Sequence, residues 1–114
     1  TILIEQPELH LHPAQQAELG DIFIESALGE NKNTFLIETH SEHLILRFLR
    51  RIRETASGEL EDEAYVLRPE DIAVIYAKPT SEGTKLIELR VSDEGDFIDK
   101  WPDGFFAERA KELF

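Results

Sequence analysis

Two short apolar runs, each closed by a glutamate and each followed by a stretch of helical periodicity, constrain this chain more than any other feature. Ile2-Leu3-Ile4 ends at Glu5, and Thr34-Phe35-Leu36-Ile37 ends at Glu38. Unbroken apolar runs of this length suit strands of a buried parallel sheet. Pro13 opens the first helical pattern, where its missing N–H costs nothing. Leu19, Ile22, Phe23 and Ala27 recur on one side of that helix, with Gln15, Glu18, Asp21 and Glu25 left to face water. Gly29 is placed to stop it in a left-handed cap. After the second strand, Thr39 and Glu42 have the spacing of a capping box. Leu44, Ile45, Phe48, Leu49 and Ile52 then form one face of a second helix, which Gly58 closes. Arg47, Arg50, Arg51 and Arg53 crowd its later part, where positive charge complements the helix dipole. The expected unit is strand–helix–strand–helix, with parallel strands and a right-handed crossover.

The remainder reads differently. Glu59 to Glu63 is an acidic linker, and Ile72 to Ala77 and Lys85 to Val91 are strands of a hairpin. Pro79-Thr80-Ser81-Glu82-Gly83 joins them as a loose loop. Asp93-Glu94-Gly95-Asp96 and Trp101-Pro102-Asp103-Gly104 are turns, and Phe105 to Phe114 is a short terminal helix. The fold class is therefore α/β: a small parallel strand–helix unit followed by an α+β tail with a β-hairpin.

A chain of 114 residues with 41% hydrophobic and 32% charged residues reads as one soluble unit. It has no cysteine, so it has neither disulfides nor thiolate metal sites, which suits a cytoplasmic location. No apolar stretch approaches the roughly 18 residues needed to span a bilayer, and no signal peptide is visible where Thr1-Ile2-Leu3-Ile4 runs straight into Glu5. The net charge of −12 makes the chain a poor binder of phosphate backbones by itself. It contains no methionine and opens inside a strand, so it reads as a piece of a longer protein.

In open α/β sheets, ligands bind beyond the carboxyl ends of the strands. Glu5-Gln6-Pro7-Glu8 follows the first strand and Thr39-His40-Ser41 the second. Neighbouring parallel strands would bring Glu5 and His40 to one edge, within roughly 10 Å. An acid at such an edge suits magnesium, which takes one or two carboxylates together with waters and substrate phosphates. A histidine beside it can hydrogen-bond a phosphate oxygen or a water.

These residues also resemble a known family. Ile2-Leu3-Ile4-Glu5-Gln6-Pro7-Glu8-Leu9-His10-Leu11-His12-Pro13 is similar to the Walker B and D-loop segment of ABC-type ATPases in the SMC and OLD-like group. Phe35-Leu36-Ile37-Glu38-Thr39-His40-Ser41 resembles the strand and switch histidine of the same group, at a fitting distance along the chain. The tail from about Ile72, with Trp101-Pro102-Asp103-Gly104-Phe105-Phe106, resembles a carboxyl-terminal domain of unknown function on some bacterial members. The resemblance implies that residues 1–58 are the later part of a P-loop ATPase core and residues 59–114 the appended domain. It implies ATP and Mg2+ in the parent protein. Glu5 would be the Walker B acid and His40 the γ-phosphate sensor. His10 and His12 of the D-loop would contact nucleotide, as would Thr39 and Ser41. The implied partners are a missing amino-terminal ATPase half and a second copy of the parent.

The sequence departs from that pattern twice. Where relatives carry a glutamate that polarises the attacking water, Gln6 stands here. An amide cannot accept a proton, and a general base contributes ~10²–10⁴-fold in rate. Slow hydrolysis follows, unless Glu8 substitutes or Gln6 orients the water. The chain also lacks a Gly-x-x-x-x-Gly-Lys-Ser/Thr loop and a Ser-Gly-Gly signature, so the expectation is that it binds ATP weakly or not at all on its own.

Other readings exist for the same residues. His10-Leu11-His12 with Glu5, Glu8, His40 and His43 suggests a His-x-His metallohydrolase, although Pro13 interrupts the strand and a barrel needs about 250 residues. The hairpin, with Trp101, Phe105 and Phe106, suggests a non-catalytic protein-interaction module. Arg47 to Arg53 suggests DNA, against the simpler explanation of helix electrostatics.

Overall fold

The computed structural model describes residues 1–29 and 32–99. The turn at Trp101 and the terminal helix expected from Phe105 lie outside the described residues. Strand β1 (Ile2–Glu5) and strand β2 (Phe35–Glu38) pair in parallel, in the register Ile2 to Phe35 through Glu5 to Glu38. Helix α1 (Pro13–Leu28) connects them and helix α2 (Glu42–Ser57) follows. One face of this two-stranded sheet carries Ile4, Phe35 and Ile37, all half-buried. Phe23 of α1 meets Phe35 edge-on, with ring centroids 5.2 Å apart. The opposite face carries Leu3 and Leu36, paired in register and 70% and 60% exposed.

The two helices cross where α1 offers its smallest residue. A Cβ at Gly20 would lie 3.2 Å from the Arg47 side chain and 3.3 Å from that of Leu44. Leu44 is fully buried at this crossing, and Ile24, Ile52 and Leu67 form the centre of the core. Phe48, Ile72 and Val91 pack around them, so the second half of the chain seals the core of the first.

The face of α1 differs from the one expected. Asp21 is only 9% exposed, whereas Ile22 is 60% exposed on the rim of an open cleft shared with Leu28 and Val66. The reason is ionic. Arg47 reaches Asp21 at 2.5 Å, and Arg51 grips both its oxygens at 2.8 and 2.9 Å. Arg51 also meets Glu54 at 3.0 Å and lies over the Tyr65 ring, 4.7 Å from its centroid. The arginines thus bind α1 and the following turn; the last turn of α2 holds no basic residue, so the dipole account is replaced.

Helix ends follow the sequence in part. Gly58 takes the left-handed conformation at φ 75° that ends α2. Gly29 does not; its φ is −78° and the backbone there is extended. The acidic stretch expected as a linker winds into a 3-10 turn at Glu63–Tyr65, capped by the Asp62 side chain on the Ala64 N–H. A second such turn, Pro69–Asp71, leads into the hairpin of strands β3 (Val74–Thr80) and β4 (Gly83–Leu89). Both strands lie nearer the hairpin tip than expected, at Val74–Thr80 and Gly83–Leu89, so only Ser81 and Glu82 connect them and the loop is tight. Pro79 pairs with Thr84 near the tip, tolerable where only one partner strand needs satisfying. Leu89 is buried, while Ile75 and Leu86 on the other face are 56% and 68% exposed.

Candidate functional site

The carboxyl edge of the parallel sheet is built from the loops that leave β1 and β2. Glu5 and Glu38 end the strands side by side in register, and both are exposed. The Gln6 N–H donates to the Glu38 carbonyl at 2.7 Å, the last rung of the ladder. The chain then turns sharply, with Gln6 at φ 44° and His10 at φ 69°. Positive φ is uncommon for residues with a Cβ, and each such position costs ~1–3 kcal/mol when strained. Two short bonds close the loop: Leu9 N–H to the Gln6 carbonyl at 3.2 Å and Leu11 N–H to the Glu8 carbonyl at 3.0 Å.

Within this loop Glu8 points inward. It is 8% exposed, and its Oε1 accepts the His40 backbone N–H at 3.0 Å. Its Oε2 is buried with no partner among the described residues. A second strut comes from α1. Gln16 donates from Nε2 to the Leu11 carbonyl at 3.0 Å and accepts the Ser41 hydroxyl on Oε1 at 2.6 Å. Ser41 Oγ in turn accepts the Leu44 N–H at 3.1 Å, which makes Ser41 the N-cap of α2. The capping box expected at Thr39 and Glu42 is therefore corrected. Thr39 Oγ1 instead accepts the Ser41 N–H at 2.9 Å, holding the turn before the helix. Both residues suit a cap by type; the pull of Gln16 on Ser41 selects one.

Each candidate residue can now be placed. Glu5, His40, His10 and His12 are exposed, Gln6 and Thr39 half-buried, and Glu8 and Ser41 buried. Glu8 is joined to His40 through that residue's backbone N–H, while Ser41 is joined to Thr39 and Gln16. His12 sits apart as the N-cap of α1, its N–H donating to Gln15 Oε1 at 3.1 Å. Among the described residues, no group of three or more His, Asp or Glu side chains is arranged to hold a metal ion, so the cluster a His-x-His hydrolase needs is not formed. Along α2, Arg47 and Arg51 pair with Asp21, and Arg50 and Arg51 with Glu54.

Two contributors escaped sequence reasoning. Glu38 was legible in principle, because both strands end in the same apolar-to-glutamate pattern and parallel register sets the two acids abreast. Gln16 was not, because a glutamine on an amphipathic helix has no local mark of its partners.

The ion pairs between α1 and α2 favour Asp21 as a carboxylate. Burial works to raise its pKa, but the hydrogen bond from Arg51 and the charges of Arg47 and Arg51 outweigh burial and hold it below the usual range.

In open α/β sheets ligands bind beyond the carboxyl ends of the parallel strands, and that is the edge where Glu5, Glu38 and His40 lie. Residues 1–45 match the family model of the AAA ATPase domain, a span from β1 through the first turn of α2. No curated protein and no solved structure matches the chain. Among the described residues no helix is long and apolar enough to cross a membrane.

Proposed function

We propose that the sheet edge carrying Glu5, Glu38 and His40 is the magnesium and γ-phosphate side of an ATP site, within an ATPase of the ABC type. The observation that carries this reading is the in-register ending of both strands at glutamates, with His40 held immediately beyond them. Like charges placed abreast on a sheet repel, and a divalent cation relieves that cost. Magnesium binds through one or two carboxylates, its other positions filled by waters and phosphates, so two strand-end acids suffice for it. The similarity of residues 1–45 to an AAA ATPase domain supports the same assignment.

In this reading Glu5 holds magnesium through water, with Glu38 beside it. The bound ion would neutralise charge on the β- and γ-phosphates. His40 contacts the γ-phosphate, and Gln6, at the strand end, orients the attacking water without taking its proton. Thr39 and Ser41 shape the turn that presents His40. His10 and His12 lie on the outer loop, where a second copy of the protein would close over the nucleotide. Residues 1–58 are the later part of the ATPase core and residues 59–114 an appended domain. The sequence carries no phosphate-cradling glycine–lysine loop, so that element comes from outside this chain.

Titration of this chain with Mg-ATP is expected to give weak or no binding, and micromolar magnesium-dependent binding would contradict the division of labour. In the full-length protein, His40→Ala is expected to lower ATP turnover more than ATP affinity. Unchanged turnover in that variant removes His40 from the site.

A further inference from the structure

We infer that Glu8 is a positioning residue, which clamps the backbone of His40 and so sets where that imidazole stands, and is not the base that activates water. The inference rests on the ATPase reading and assigns Glu8 a part in it.

Three observations carry it. The first is geometric: Glu8 Oε1 accepts the His40 N–H at 3.0 Å across a sequence separation of 32 residues. No bond between the loops could be better placed to hold His40, since it acts on that residue's own amide. The second is burial. A base must reach water or substrate, and Glu8 is 8% exposed, turned beneath its loop. The third is backbone conformation. Gln6 at φ 44° and His10 at φ 69° stand on either side of Glu8 at equal distance in the chain. Such conformations persist where the surroundings over-determine them, and here they turn Glu8 inward.

The carboxylate uses one oxygen only, because Oε2 is buried without a described partner. A glutamine in its place keeps the accepting oxygen and removes an uncompensated buried charge. A general base tolerates no such exchange. The conservative variant therefore separates the two roles.

The test compares Glu8→Gln and Glu8→Ala in the full-length protein by Mg-ATP turnover and by hydrogen exchange at the His40 amide. Glu8→Gln is expected to keep kcat within about threefold, because the neutral bond is weaker but present. Glu8→Ala is expected to lower kcat ~10–100-fold with little change in KM, and to speed His40 amide exchange by at least about tenfold, as loss of a charged acceptor implies. If Glu8→Gln is as slow as Glu8→Ala while the His40 amide stays protected, the carboxylate is acting as a base and the clamp is refuted. If Glu8→Ala alters neither turnover nor exchange, the clamp is refuted as well. Should the wild-type protein show no Mg-ATP turnover, the ATPase reading falls, and the exchange rates alone still decide whether Glu8 holds His40.

Discussion

The strand–helix unit of residues 1–58 and the hairpin half that follows are held by bonds of different reach. In the first, the polar contacts join distant positions: Glu8 to His40 across 32 residues, Gln16 to Ser41 across 25, and Asp21 to Arg47 across 26. Contacts of shorter reach occur in the second: Thr80 to Gly83 across 3 residues, Ser92 to Asp96 across 4, and Arg90 to Asp99 across 9, with Leu67 reaching back to Thr55 across 12. Closing a long loop costs more chain entropy than closing a short one, so the long-range bonds mark where the fold spends order on placing particular groups. The candidate chemistry lies in that half. The hairpin half contributes Leu67, Ile72 and Val91 to the core and otherwise presents an apolar face at Ile75 and Leu86. Its turn at 92–96 nevertheless docks tightly: a Cβ on Gly95 would clash with the Leu49 carbonyl oxygen of α2.

The largest test of this contrast is Asp21→Ala. It strands Arg47 and Arg51, whose side chains are 17% and 14% exposed, without their shared carboxylate. The expected loss is about 3 kcal/mol, the low end for breaking a buried pair, because the guanidinium groups retain some access to water. A loss below about 0.5 kcal/mol in denaturant unfolding, the range of an ordinary surface substitution, would show that the long-range bond is incidental.

The pH dependence is smaller and separates the halves further. Asp21 and Asp99 both have depressed pKa values in the folded state, so each adds stability above its ordinary carboxylate range. That contribution fades as pH falls through the folded value. For Asp99, hydrogen-bonded by Arg90, the window runs from 3.8 down to about 2. The difference in unfolding midpoint between wild type and Asp21→Asn should hold above about pH 5 and shrink below pH 4. Asp99→Asn should behave alike but more weakly, and its effect should vanish in high salt, since the Arg90 side chain is 65% exposed. A salt-insensitive Asp99 effect would erase the distinction between local and long-range pairs.

The smallest expected effect belongs to the outer face of the hairpin. Leu86→Lys should change stability by no more than about 0.5 kcal/mol, as for exposed positions generally. A larger loss in the full-length protein than in this chain would reveal that another segment covers that face.

Much of the architecture was legible before any coordinates. The apolar runs at Ile2 and Phe35, Pro13 at the start of α1, Gly58 at the end of α2 and the turn at Asp93 each carry a local signal. So did the meeting of the two strand ends. The site was only partly legible. Glu8 and His40 were named as neighbours in function, yet the bond between them runs through a backbone amide and a carboxylate turned inward. Thr39 and Ser41 were equally good caps by composition, and Asp21 had the spacing of a water-facing residue.

What the sequence determined by itself is the order of elements, the parallel pairing and the edge at which the acids and the histidine gather. Apolar periodicity, proline and glycine act over a few residues and can be read in place. Only the tertiary structure decided which polar side chains turn inward, because the worth of a carboxylate, amide or guanidinium depends on a partner brought from twenty or more residues away. Asp21, Gln16 and Glu8 each acquired that partner from the second strand–helix pair.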